Sequence, residues 1–239
     1  MAKFCTNCGK ELVDGNCPKC GSKATNSGSQ KSFGKMLGEY WELVKKTLSK
    51  PVTILKENSS EDNFCIGLIS MCVSGILAGL FICLLANKTL SALFGGLSGF
   101  SSSSVDIPYV KIFLVGFIFI AGMLAIQALI GYIVFDKMFK ANTSIKKMFV
   151  LFGIATIVES LALAGCCVLT FLELSEGVMY CMYGLIAVAS ILSIVYVVKA
   201  IDDYAKIDSD KLGYALAIVY VATAIATYFV ANNVLPSIL

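Results

Sequence analysis

Two pairs of cysteines open the chain: Cys5-Thr-Asn-Cys8 and, eight residues later, Cys17-Pro-Lys-Cys20. A C-x-x-C pair aims two thiolates from one tight turn, and two facing pairs make the tetrahedral sulfur site that structural zinc takes. Gly9 and Gly21 follow the second cysteine of each pair, where a residue that tolerates positive φ lets the turn reverse. Cys5, Cys8, Cys17 and Cys20 are therefore expected to hold one zinc ion in a small ribbon over residues 1–22. So short a stretch cannot bury a core, and the metal would supply the folding energy, on the order of 10 kcal/mol. Two disulfides are the other use of four such cysteines, and the reducing compartment deduced below argues against them. A redox dithiol is disfavoured by the presence of two pairs without a thioredoxin-like strand and helix.

Lys3, Lys10, Lys19 and Lys23 ring these cysteines, but Phe4 is the ribbon's single aromatic and the chain contains no arginine; its 19 basic residues are all lysines. Base stacking and bidentate phosphate contact lack their usual residues, so a protein partner is expected for the ribbon and nucleic acid is not. Histidine is absent as well, which removes the usual general base near neutral pH. No paired-aspartate or Ser/Lys arrangement falls at membrane depth, and an enzyme is not expected.

A second residue with chemical potential is Glu159, alone among acidic residues in the middle of the apolar run 148–172. At about 1.5 Å of rise per residue that run crosses a hydrocarbon core of about 30 Å with some tilt. A carboxylate at that depth is costly unless partnered, which marks a functional or structural polar contact. No lysine lies at comparable depth. The candidate partners are neutral: Gln127, Ser190, Ser193, Tyr196, Thr223 and Thr227. Without a second charge nearby, Glu159 reads first as a neutral hydrogen-bonding acid that ties its span to its neighbours. An ion or substrate site, with Gln127 as the accompanying polar residue, is the alternative.

The elements that must place these groups follow from composition. With 57% hydrophobic and 15% charged residues among 239, the chain cannot present an ordinary water-facing surface. Five runs are long enough to cross a bilayer: 64–87, 112–135, 148–172, 179–200 and 213–231. The fold class expected is an all-α polytopic membrane protein of five transmembrane helices, residues 64–239, behind the zinc ribbon. Residues 23–32 are small and polar and read as a flexible linker. From Phe33, apolar residues recur at helical spacing with lysines on the other flank, so 33–63 should form amphipathic juxtamembrane helices. Tyr40 and Trp41 suit a helix lying at the headgroups or packed on the bundle's end, and Pro51 ends that helix or opens the next. Residues 59–62 carry a capping-box pattern before the first span. The stretch 88–106 reads as an interfacial loop.

Seventeen lysines fall before span one or between spans two and three or four and five, whereas only Lys88 and Lys111 fall on the other side. By the positive-inside rule the N-terminus is cytosolic and the C-terminus external, which places the cysteine pairs where thiols stay reduced. Gly75 and Gly79, with small-residue ridges at Ala121/Ala125, Ala189/Ser193 and Ala222/Ala226, favour close helix packing and leave a homo-oligomer open. Cys65, Cys72, Cys83, Cys166, Cys167 and Cys181 read as packing residues; an external disulfide from Cys181 to Cys166 or Cys167 is the alternative.

Over residues 4–22 the chain resembles the short zinc-ribbon heads found on many bacterial membrane and regulatory proteins, which implies a structural metal. Over 33–239 it resembles the Yip family of membrane proteins. The resemblance rests on five closely spaced spans, the Tyr40-Trp41 to Pro51 juxtamembrane segment, and the turn Ala200-Ile-Asp-Asp-Tyr-Ala-Lys before an alanine-rich last span. The Asp-Leu-Tyr-Gly-Pro motif of eukaryotic members is missing. The resemblance implies a non-enzymatic membrane protein of membrane organisation or trafficking-type interactions. The partners expected for the chain are the bilayer and a cytosolic protein that meets the ribbon, and its expected location is the plasma membrane. The competing expectation is a small transporter or channel using Glu159.

Overall fold

The computed structural model describes residues 33–58, 60–95, 108–172, 175–204 and 207–233. Cys5, Cys8, Cys17 and Cys20, expected to form a zinc ribbon, and residues 23–32, expected to form a linker, lie outside them. Among the described residues every regular element is helical. They are α1 (Phe33–Ser49), α2 (Pro51–Glu57), α3 (Phe64–Gly95), α4 (Tyr109–Tyr132), α5 (Ile145–Leu169), α6 (Glu176–Tyr204) and α7 (Ser209–Asn233). A 3-10 turn at Glu61–Asn63 leads into α3, and a π-helical turn at Ile133–Met138 extends α4. The chain divides between Gly38 and Glu39 into two units, and the packing below belongs to the second.

Five helical stretches are long and apolar enough to cross a membrane: Glu61–Thr89, Tyr109–Met138, Ile145–Leu169, Glu176–Asp202 and Lys211–Asn233. These match the five runs in the sequence and fit an integral membrane protein. The boundaries differ most after span one. There the helix runs past Asn87 to Gly95 instead of opening into a loop at Lys88. No glycine or proline interrupts Lys88 to Phe94, and the Thr89 hydroxyl bonds back to Leu85 O at 2.9 Å.

Pro51 occupies the first turn of α2, where its missing N–H costs nothing and its fixed φ already suits a helix. The capping-box pattern of 59–62 begins at Ser59, which lies outside the described residues. Ser60 precedes the 3-10 turn and makes no side-chain cap bond. The Glu61 carboxylate accepts from Ser144 Oγ at 2.7 Å. Ser144 is the N-cap of α5 and also accepts from Lys147 N–H at 3.3 Å. One polar contact thus ties the entrance of span one to that of span three.

α5 is the central helix, packed against α3, α6 and α4. From Met148 to Ile157 it is buried at every position but one, the half-buried Phe149. Its closest approach is to α3. A methyl group on Gly67 would fall 2.7 Å from Phe149 O, and one on Gly153 would strike the Gly67 backbone, so only paired glycines allow the two axes this near. A second glycine face of α3 meets α4, where a methyl on Gly79 would lie 2.8 Å from Phe113 O and one on Gly116 would lie 3.1 Å from Gly79 Cα. This is the Gly75/Gly79 ridge expected from the sequence. α7 packs mainly on α4.

At the end shared by α4 and α5, Lys140 and Asn142 take positive φ of 53° and 50°. Asn tolerates that conformation and Lys does not favour it. The turn is held by Ala141 N–H donating to Phe135 O at 2.9 Å and by Thr143 N–H donating to the Asp136 carboxylate.

α1 lies along the same end. Tyr40, Leu43, Val44 and Thr47 form its buried stripe, and the Tyr40 hydroxyl pairs with that of Ser70 on α3. Of the two positions considered for this helix, packing on the bundle is therefore met. The six cysteines of the spans, Cys65, Cys72, Cys83, Cys166, Cys167 and Cys181, are free thiols. Cys166 Sγ faces Met182 O at 3.7 Å and fills a buried position, so it packs against α6 without a disulfide to Cys181.

Candidate functional site

Glu159 stands about 21 Å along α5 from Ile145, near mid-bilayer for a helix of this length. Its neighbour Ser160 points to a different side, into the α3 interface. There Ser74 Oγ and Ser160 Oγ lie 2.6 Å apart and both residues are buried. Ser160 uses its proton on Thr156 O at 3.0 Å, so Ser74 is the donor between the two hydroxyls. The step of about 100° per residue then carries the Glu159 carboxyl to the side of α6 and α7.

There it meets two hydroxyl groups from different helices. Ser193 of α6 is its hydrogen-bond partner, and the Tyr220 phenol of α7 lies within electrostatic reach. Ser193 is among the partners expected from the sequence. Tyr220 is not, although it precedes Thr223 by three residues and Thr227 by seven and so shares their face of α7; that spacing is the signal that could have found it. Thr223 and Thr227 bond to carbonyls of their own helix, Val219 O at 2.7 Å and Thr223 O at 2.8 Å. The side chain of Gln127, half-buried on α4, makes no hydrogen bond among the described residues and is not paired with Glu159.

The packing around this carboxyl is uneven. On α7 the buried residues are Leu212, Ala215, Leu216 and Val219, and none from Tyr220 to Asn233 is buried. On α5 the continuous burial ends at Ile157, and Val158 and Glu159 are half-buried. α7 is enclosed through its first half and loosely covered beyond it, whereas α5 keeps buried positions at Ser160, Ala162, Cys166 and Cys167; Glu159 faces the change on α7. A lone carboxyl flanked by a hydroxyl and a phenol can hold a proton or accept a cation.

Among the described residues no group of three or more His, Cys, Asp or Glu could hold a metal ion. Cys5, Cys8, Cys17 and Cys20, the zinc ligands expected from the sequence, lie outside the described residues. No protein-family model, no curated protein and no solved structure matches this chain.

Proposed function

We propose that this chain is a non-enzymatic integral membrane protein, Yip-like in design, whose cytosolic zinc ribbon docks a protein partner at the membrane. The observation that carries the reading is the two C-x-x-C pairs, Cys5/Cys8 and Cys17/Cys20, separated from the juxtamembrane helices by the polar residues 23–32. The donor set suits zinc: four thiolates complete a tetrahedron, leave no open position for substrate, and so make the metal structural. The five candidate spans supply the anchor, and the lysine distribution supports a cytosolic N-terminus and an external C-terminus in the plasma membrane. Cys8→Ser should reduce bound zinc and remove the ribbon's partner from cross-linked pull-downs of the full chain. A partner list identical to wild type, with zinc lost, would count against docking through the ribbon.

A second reading is favoured by one observation, the half-buried Glu159 with Ser193 and Tyr220 where the cover of α7 thins. In that reading Glu159 exchanges a proton or cation during transport. Proteoliposomes carrying Glu159→Gln should then lose the flux that wild type shows, and flux indifferent to the substitution removes this reading.

A further inference from the structure

α1 divides into three sectors when its residues are set at about 100° per position. Tyr40, Leu43, Val44 and Thr47 face the bundle and are buried. Glu42, Lys46 and Ser49 lie opposite and are exposed, as a water-facing side requires. Between the two runs a third edge made of Trp41 and Leu48, with Lys45 beside it. Trp41 is 59% exposed and Leu48 is 68% exposed. Two large apolar side chains stacked one above the other at i and i+7 would be costly in water.

The height of the helix says what covers them. Tyr40 pairs with Ser70, and Ser70 lies about 13 Å along span one from its start at Glu61. That span has 29 residues, about 43 Å, against a hydrocarbon core of about 30 Å, so about 6 Å at each end stands among headgroups when the span is centred. The Ser70 hydroxyl is thus inside the hydrocarbon, and a tyrosine side chain reaching down to it sets the axis of α1 near the boundary between acyl chains and headgroups. At that height an edge turned away from the bundle faces lipid. The Lys45 ammonium sits 5.9 Å from the centre of the Trp41 ring and bonds to Glu42 at 2.9 Å, so the charge is kept on the water side of the aromatic. Tryptophan with a lysine above it is the arrangement that suits a membrane interface.

We propose that α1 is embedded in the surface of the phospholipid bilayer, with Trp41 and Leu48 inserted below the headgroups and Lys46 in water. The occupant of the exposed edge is the lipid itself. This goes beyond the ribbon-docking reading and does not depend on it: the edge would be inserted whether or not the ribbon has a partner.

Trp41 is the sole tryptophan of the chain, so intrinsic fluorescence of the full-length protein reports on this edge alone. The protein is reconstituted in phosphatidylcholine nanodiscs with or without chains brominated near the headgroup or near the terminal methyl, and acrylamide is added from the aqueous side. The expected result is blue-shifted emission that loses its larger part to bromines near the headgroup, loses less to bromines near the terminal methyl, and is shielded from acrylamide relative to free tryptophan. Emission quenched by acrylamide and untouched by either bromolipid would place α1 in water and overturn the proposal. Emission reached by neither quencher overturns it as well, because the edge would then be covered by protein, such as a second copy of the chain.

Discussion

A hydroxyl in hydrocarbon finds no water to fall back on, so the worth of Ser74 and Ser160 depends on their holding each other. Their bond joins α3 to α5 at 2.6 Å with both residues buried. Measured couplings of such contacts in membranes average about 0.6 kcal/mol and reach about 1.7 kcal/mol. A double-mutant cycle with Ser74→Ala and Ser160→Ala, read by reversible unfolding in micelles, should return a coupling of that size; additive single losses would mean that the hydroxyls act independently. Tyr40 carries a different prediction, one in pH. Burial pushes its phenol above the ordinary tyrosine range, and the bond to Ser70 opposes this more weakly. A group whose folded pKa is raised contributes fully below its unfolded value, about 10 for tyrosine, and loses that contribution as pH rises through the folded value. Docking of α1 should therefore weaken in strongly alkaline solution and not near neutrality. Thermal melts of wild type against Tyr40→Phe across that range should show the alkaline loss in wild type alone.

At the scale of elements, α3 and α5 meet through backbone more than through side chains. A methyl on Gly153 would collide with Gly67, and both neighbours are main chain within a helix, so neither can turn aside. Gly153→Ala should cost about 1–3 kcal/mol by overpacking, seen as a lower melting temperature in micelles. Gly122→Ala is the control, since nothing lies within 4 Å of the place its added methyl would take, and a helix gains up to about 1 kcal/mol from alanine over glycine. Equal responses at the two sites would mean that the crossing is looser than described. The contrast also shows what a sequence makes legible. Spans can be read from long apolar runs because hydrocarbon demands about twenty such residues, and the Gly75/Gly79 ridge can be read from its spacing. The Gly67 to Gly153 crossing cannot, because each glycine is alone on its own helix face and only the fold makes them a pair. The bond from Ser144 to Glu61 is hidden from the sequence in the same way, since the two residues lie 83 positions apart. Glu159 is legible as the odd residue of its span, and Ser193 as one of its partners, but Tyr220 requires knowing which face of α7 turns inward.

At the scale of the whole molecule, the lysine distribution and the helix ends make a joint statement about orientation. Lys137, Lys140, Lys146 and Lys147 sit at the junction of α4 and α5, the end where Glu61 meets Ser144 and where α1 docks. The opposite end joins α5 to α6 without a lysine between Leu169 and Glu176, and it carries exposed Phe171, Tyr180 and Tyr183, an aromatic set suited to the other interface. The membrane potential and the insertion machinery act on that difference in positive charge, retaining lysine-rich segments on the cytosolic side. Single cysteines at Lys146 and Ser175, both exposed at helix entrances, separate the two ends. In intact cells a membrane-impermeant maleimide should label Ser175→Cys and spare Lys146→Cys, and permeabilised cells should show labelling at both. The reverse pattern would put the N-terminus outside, in an oxidising compartment where Cys5, Cys8, Cys17 and Cys20 would be drawn toward disulfides rather than zinc. Orientation and metal thus stand or fall together: the same labelling experiment that fixes which end of the bundle faces the cytosol decides whether the four cysteines have the reduced surroundings that a zinc ribbon needs.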